Sequence, residues 1–201
     1  MRCSARSPSA RSPAHRSLPA MPEPSRRQRF ESTVLVHLGA GYNLARWLLR
    51  DQHGADDVLQ DASLRALRHF DALQGPNPKA WFMAIVRNAC MDWLASTARR
   101  AQEDHFDESL HDRPALDDLG RFESPETLAI RSAEARRLHV CLAELAPEFR
   151  EVLVLREMEG LSYRDISAVV GVPMGTVMSR LSRGREQLAN AMRSGERRAS
   201  S

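Results

Sequence analysis

Five side chains near the C-terminus, Thr176, Ser179, Arg180, Arg183 and Arg185, have the chemistry of duplex recognition. Arginine can hold a phosphate or reach two acceptors on a guanine edge, and serine and threonine hydroxyls serve either target. Spacings of three and four residues place Thr176, Ser179, Arg180 and Arg183 on one sector of a helix, with Arg185 on a neighbouring sector suited to phosphate. The other side of that helix carries Val177, Leu181 and Leu188, with Gly184 in the same register as a place for another helix to approach closely. Such a helix must be held up by others. Gly160 and the step Gly171-Val172-Pro173 divide residues 147–188 into three helical segments, because glycine ends a helix cheaply and proline is best tolerated at the start of the next. Ser162 is placed to cap the middle segment, with Asp165 returning the capping-box bond and Ile166, Val169 and Val170 forming its apolar face. A short capped helix, a tight turn and a longer helix with an apolar back and an arginine-bearing front is the helix-turn-helix pattern. A merely solvated arginine face would account for the charges and leave the punctuation unexplained.

Two further polar groupings lie in the N-terminal half. Asp57 and Asp61 are four apart, and with Asp56 they form an acidic edge near the start of a helix whose apolar line is Val58, Ala62, Ala66 and Phe70. After the turn-rich loop 73–79, Asn77 can cap and Pro78 can open a third helix, with Phe82, Ile85, Ala89 and Trp93 inward, joined by Trp81, Val86, Cys90 and Leu94. Arg87, Asn88, Met91 and Asp92 are left on its wetter side. Trp81 and Trp93 lie on or beside the apolar face and are assigned to packing ahead of base stacking. Enzymatic chemistry finds little support. Cys90 and Cys141 sit in apolar stripes, no serine has a supporting histidine and carboxylate, and phosphate-loop and zincin patterns are lacking. His105 and His111 lie among carboxylates on a stretch with nothing to fix ligand geometry, so no metal, cofactor or catalytic residue is expected.

The chain of 201 residues has a net charge of +3, distributed unevenly. Residues 1–29 carry seven arginines and one glutamate in Ser, Pro and Ala-rich sequence and are expected to form a disordered basic tail, with Met21 an alternative start. Residues 101–125 carry eight acidic and two basic side chains and are expected to be a flexible acidic linker. Between and after them lie two nearly balanced helical blocks, 30–100 and 126–190, followed by a short flexible tail over 191–201. The first block opens on a helix expected over about 31–50, with Val34, Leu38, Tyr42, Ala45 and Leu48 on its face. The fold class is therefore all-α, two small helical domains on an acidic tether. Cys3, Cys90 and Cys141 have no metal-like spacing and read as free thiols in a reducing cytoplasm. No apolar run approaches membrane-spanning length.

These segments together resemble a bacterial RNA polymerase sigma factor of the extracytoplasmic-function group, the smallest members of the sigma-70 family. Residues 56–67, Asp-Asp-Val-Leu-Gln-Asp-Ala-Ser-Leu-Arg-Ala-Leu, resemble the core-binding segment. Residues 80–94, Ala-Trp-Phe-Met-Ala-Ile-Val-Arg-Asn-Ala-Cys-Met-Asp-Trp-Leu, resemble the promoter-melting helix, and residues 145–188 the duplex-reading domain. Ser63 stands where the family commonly keeps a small hydrophobic residue and Gly184 where alanine is usual. The resemblance implies binding of core RNA polymerase through Asp56, Asp57, Gln60 and Asp61 at the clamp of the largest subunit, with a second contact at the flap of the second-largest. It implies −10 element recognition through Arg87 and Asn88, and −35 element recognition through Thr176, Ser179, Arg180, Arg183 and Arg185. It further implies promoter DNA and an anti-sigma factor as partners, no stable homo-oligomer, and a cytoplasmic protein that an anti-sigma factor could hold near the membrane. The rival reading is a helix-turn-helix regulator that is not a polymerase subunit, which explains residues 147–188 and leaves the acidic helix and the Trp-Phe…Arg-Asn helix without a purpose.

Overall fold

The computed structural model describes residues 24–73, 75–103 and 125–199, and among them all regular structure is helical. The first helix, α1, spans Arg26–Thr33 and begins inside the segment expected to be a disordered tail. Its start is fixed by a capping box: the Ser25 hydroxyl oxygen accepts from the Gln28 N–H, and the Gln28 side chain accepts from the Ser25 N–H at 2.8 Å. Phe30 then meets Phe70 edge-on, ring centroids 5.3 Å apart, and Arg26 reaches Asp71 at 3.0 Å, so the helix is pinned to the far end of the first block. The single helix expected over 31–50 is two. A 3₁₀ turn at Leu35–His37 separates α1 from α2, Leu38–Leu49, and α2 ends on Arg50 in the left-handed conformation at φ 59°.

Helix α3, Gln52–Arg68, is capped by Asp51, whose carboxylate accepts from the His53 and Gly54 N–H groups. Helix α4, Pro78–Glu103, is opened by Pro78, and the Asn77 side-chain Oδ1 accepts from the Ala80 N–H at 3.1 Å, the cap read from sequence. The two glycines at close crossings carry the packing. A methyl group on Gly41 would lie 2.8 Å from the Phe82 ring, and one on Gly54 would lie 2.7 Å from the Trp93 indole. Val58, Ala62, Ala66 and Phe70 are buried as expected, and so are Phe82, Met83, Val86, Ala89 and Cys90 on α4. Leu94, assigned to the inward face, is instead exposed.

The second block comprises α5, Pro125–Glu144, α6, Pro147–Leu153, α7, Tyr163–Val170, and α8, Met174–Ala199. A π-helical turn at Val154–Met158 continues α6, which proline and glycine punctuation did not foretell. Leu138 of α5 is exposed. The tail expected over 191–201 is helical to Ala199, because its alanines, arginines and glutamate favour continuation of α8 and no proline stops it. Arg150 is buried and donates to the Ala143 carbonyl at 2.7 Å, clamping the end of α5 to α6. The buried apolar residues of both blocks belong to one contiguous cluster, so the blocks are in contact. His105, His111, Cys3, Met21 and most of the expected linker lie outside the described residues.

Candidate nucleic-acid interface

The helix-turn-helix assembles from the punctuation outward. Ser162 caps α7, its oxygen accepting from the Asp165 N–H at 3.1 Å. The capping box closes differently from the expected form: the Asp165 carboxylate accepts from the Ser162 hydroxyl at 2.7 Å and from Asn77 of the other block at 3.0 Å. Gly171 ends α7 at φ 74°, and the Ser167 hydroxyl bridges the turn to the Val172 carbonyl at 2.6 Å. Pro173 then accepts from the Thr176 and Val177 N–H groups and starts α8. Val177 and Leu181 are fully buried, and a methyl on Gly184 would stand 3.1 Å from Leu153 and 3.3 Å from Phe149, the close helix approach read from its register.

Arg183 and Ser179 are exposed, and Thr176 and Arg180 are half-buried at the edge of the same face. Neither Arg180 nor Arg183 has a hydrogen bond or ion pair among the described residues, so both guanidinium groups are available to an outside acceptor. Ser179 donates to the Thr176 carbonyl at 3.0 Å. Arg185 is differently employed: it donates to Glu157 at 2.6 and 3.0 Å, and that carboxylate, followed by Tyr163, pushes its pKa above the ordinary arginine value. The neighbouring Arg156 guanidinium lies 5.0 Å from the Tyr163 ring centre. Sequence reading passed over Met174 and Met178, which are about half exposed on the reading helix and bring apolar surface suited to a thymine methyl. Their exposure follows from the same 3.6-residue period that buries Val177 and Leu181, so the signal was present.

On α3, Asp56, Asp57 and Gln60 are exposed, and Asp61 is half-buried in an ion pair with Arg65 at 2.7 Å. Arg65 also holds Asp92 of α4 at 2.7 Å, and those two carboxylates keep it protonated more firmly than usual. Asp57, Asp61, Arg65, Asp92 and Trp93 line an open groove of about 350 Å³ between α3 and α4. The three exposed groups are thus brought together at one helix start, with Asp61 set back into the groove. On α4, Asn88 is exposed, whereas Arg87 is half-buried and donates from Nε to the Glu151 carboxylate of α6. Burial, with Glu151 nearby, pushes the adjacent Cys90 thiol up to about 12. Lys79 pairs with Glu159 at 2.9 Å and also donates to its carbonyl, while Asn43 donates to the same carboxylate at 2.7 Å. Glu151 and Glu159 were not singled out from sequence. A glutamate inside the buried run Arg150 to Leu155 was the available sign.

Among the described residues no group of histidines, cysteines and carboxylates could hold a metal, and no helix is long and apolar enough to cross a membrane. The family described as Sigma-70 region 2 matches residues 34–100, and Sigma-70, region 4 matches residues 135–188. The chain is 34% identical over 159 residues to the ECF RNA polymerase sigma factor SigE of Mycolicibacterium smegmatis, covering 79% of this chain and 60% of that protein. It is 32% identical to the RNA polymerase sigma-H factor of Pseudomonas aeruginosa, with 83% of this chain and 87% of that one covered. It is 34% identical to the ECF RNA polymerase sigma-E factor of Escherichia coli, over 67% of this chain and 71% of that one. Among solved structures, the sigma factor RpoE of Bartonella quintana, in complex with the anti-sigma factor NepR, is similar with a TM-score of 0.66 and 28% identity, covering 82% of this chain and 96% of that one. With an acidic-edged helix bundle and an Arg-Asn-bearing α4 matched by region 2, and a helix-turn-helix after them matched by region 4, the chain belongs to the extracytoplasmic-function group of the sigma-70 family and is a sigma factor.

Proposed function

We propose that this sigma factor joins core RNA polymerase through the α3 edge, holds the opened −10 element with α4 and reads the −35 duplex with α8. The observation that carries the reading is the contrast on α8: Arg180 and Arg183 have no partner among the described residues, while every apolar side chain of the register Val177, Leu181 and Leu188 is turned to the domain interior. Unpaired arginines on a rigid helix behind a proline-started first turn are suited to phosphate and base edges of a major groove. Asp56, Asp57 and Gln60, exposed beside the groove, present a negative surface that steers a basic partner, here the clamp of the polymerase's largest subunit. Arg87 and Asn88 supply donors for flipped non-template bases.

Partner proteins follow from the same reading. A core enzyme contacted at both clamp and flap separates the two blocks, and an anti-sigma factor that occupies both would silence the chain, as the NepR complex of the similar Bartonella quintana protein suggests. The chain works in the cytoplasm, where core polymerase is. Run-off transcription with purified core tests the assignment: the chain should direct transcripts from defined start sites, and Asp57→Lys with Asp61→Lys should lose co-purification with core while retaining helicity. Failure to direct any defined start would instead leave a DNA-binding regulator.

A further inference from the structure

Two edges of α8 carry opposite chemistry. On one stand Arg180 and Arg183, with no hydrogen bond or ion pair among the described residues. On the other stand Met174 and Met178, four residues apart and 52% and 50% exposed. Two turns beyond Met178 that second edge continues into Arg185, whose guanidinium is held by Glu157 at 2.6 and 3.0 Å. The cation on the methionine edge is thus already engaged, and the edge has apolar surface to offer in place of a free charge. Between the two edges lie hydroxyls. Met178, Ser179, Ser182 and Arg183 occupy positions i, i+1, i+4 and i+5 and form one exposed strip, whereas Thr176 and Arg180 are half-buried beside it. Gly175, exposed in the first turn, has open space where a side chain would stand, so the backbone there can approach a ligand closely.

Packing inside the domain does not account for the methionines. Val177 and Leu181 already fill the core side of α8, and neither Met174 nor Met178 belongs to the buried cluster or packs against it. On a helix that meets duplex DNA, an exposed apolar side chain has one matching target in the major groove: the 5-methyl group of thymine is the hydrocarbon that the base-pair edges present there. We infer that Met178 is a specificity-determining residue of this sigma factor, its thioether end packing on the 5-methyl group of a thymine in the −35 element, with Met174 covering the outer side of that contact. The inference rests on the assignment of α8 to the −35 duplex and deepens it, because it places base discrimination on a side chain that has no hydrogen-bond donor. Rejection of the wrong base has the same origin. A cytosine at that position would turn its N4 donor toward apolar atoms and lose a hydrogen bond to water. Methionine suits the role, since its unbranched, polarizable chain adapts to the position of the methyl group.

The test separates the methyl group from the rest of the base. The full wild-type chain, assembled with core polymerase, selects bound duplexes from a randomised pool, and each thymine of the shared upstream element is then replaced singly by deoxyuridine, which keeps every hydrogen-bonding group and lacks only the methyl. Removal of one buried methyl group is a factor of about four in affinity. At one thymine the wild type should show that loss. Met178→Ala should bind the thymine duplex more weakly by a similar factor and be indifferent to deoxyuridine at that position, and Met178→Leu should restore the discrimination. Because Met178 is half exposed, its truncation should leave the thermal unfolding midpoint unchanged. A wild type that binds every deoxyuridine duplex as tightly as its thymine parent overturns the inference, as does a methyl effect of equal size in wild type and Met178→Ala, or a selected element without A·T pairs. Loss of core polymerase by Met178→Ala with thymine discrimination intact overturns it too, and marks the methionine edge as a protein contact. A pool from which no upstream element is selected removes the −35 reading of α8 and this inference with it, whereas a selected element bound without regard to the methyl group removes this inference alone.

Discussion

Trp47 of α2 and His139 of α5 lie face to face across the two blocks, ring centroids 4.2 Å apart and planes 34° from parallel. Burial, and then the nearby Arg46 charge, hold the His139 pKa below the ordinary histidine value. His37, half-buried near Lys79, is lowered for the same two reasons, burial first and the lysine charge second. Both groups are therefore neutral in the folded chain at pH values where the unfolded chain has begun to protonate. A lowered folded pKa contributes stability that is present above the unfolded value of about 6.5 and is lost as pH falls toward the folded one. Urea midpoints measured between pH 7.5 and 5.5 should fall, before carboxylate protonation enters. His139→Phe, which keeps the ring contact and removes the proton site, should reduce that fall; an unchanged pH profile in this variant would exclude His139 as a source.

Two glycines on different helices make opposite predictions for the same substitution. At Gly54 the added methyl would press on the rigid Trp93 indole at 2.7 Å and on the capping Asp51 carboxylate at 2.8 Å. Neither can retreat without disturbing the start of α3, so Gly54→Ala should cost about 1–3 kcal/mol. At Gly184 the nearest atom is the Leu153 methyl at 3.1 Å, the end of a side chain that can shift by a few tenths of an ångström. The gain in helix propensity, about 1 kcal/mol, offsets that crowding, and Gly184→Ala should change stability by less than about 1 kcal/mol either way. Urea unfolding of the two variants side by side checks both, and a large loss at Gly184 would show that α6 and α8 have no slack.

Cys90 should be chemically silent in the native chain. It is fully buried, and burial beside Glu151 pushes its thiol up to about 12, so at pH 8 only about one molecule in 10⁴ would carry the reactive thiolate. Alkylation followed by peptide mass spectrometry should find Cys90 unmodified in buffer and modified in denaturing urea. The rate at intermediate urea then reports opening of the first block, and modification in buffer at the rate of a small thiol would contradict the burial of α4.

The helix-turn-helix was legible in sequence because each boundary has a local chemical cause: Ser162 caps, Gly171 takes a positive φ, and Pro173 starts α8. The first block was legible as helices with the right inner faces, since Val58, Ala62, Ala66 and Phe70 repeat on one side and are buried together. What escaped was decided by distant partners. The Ser25 and Gln28 cap lies in a stretch whose polar composition reads as tail, and the helix it starts holds through the distant Phe70 and Asp71. Arg87 was read as a solvent-side donor because α4 alone leaves it outward. Only the docking of α6 brings Glu151 to it, and no periodicity within either helix encodes that meeting. Asp165 similarly has two uses, one local at Ser162 and one remote at Asn77, and sequence spacing announces only the local one.

On α8 the three arginines should separate by function. Arg185 is already held by Glu157 in a pair exposed to solvent on both sides, so its removal from the reading set costs DNA little and its pairing adds little to stability. Arg180 and Arg183 are unpaired among the described residues, and each can take a phosphate or a base edge. These roles leave different signatures. Loss of a base contact should cost about 1–3 kcal/mol on the cognate −35 duplex and relax preference at one position. Loss of a phosphate contact should weaken cognate and scrambled duplexes alike and lower the salt slope by about 1. Fluorescence anisotropy of the full chain bound to core polymerase, on both duplexes at several salt concentrations, distinguishes the outcomes for Arg180→Ala and Arg183→Ala, with Arg185→Ala expected to have the smallest effect. Val177→Asp serves as the control for structure, because a charge at this fully buried position should unfold the domain and abolish binding by another route. If Arg180→Ala and Arg183→Ala leave affinity, selectivity and salt slope unchanged in a folded chain, α8 is not the reading helix.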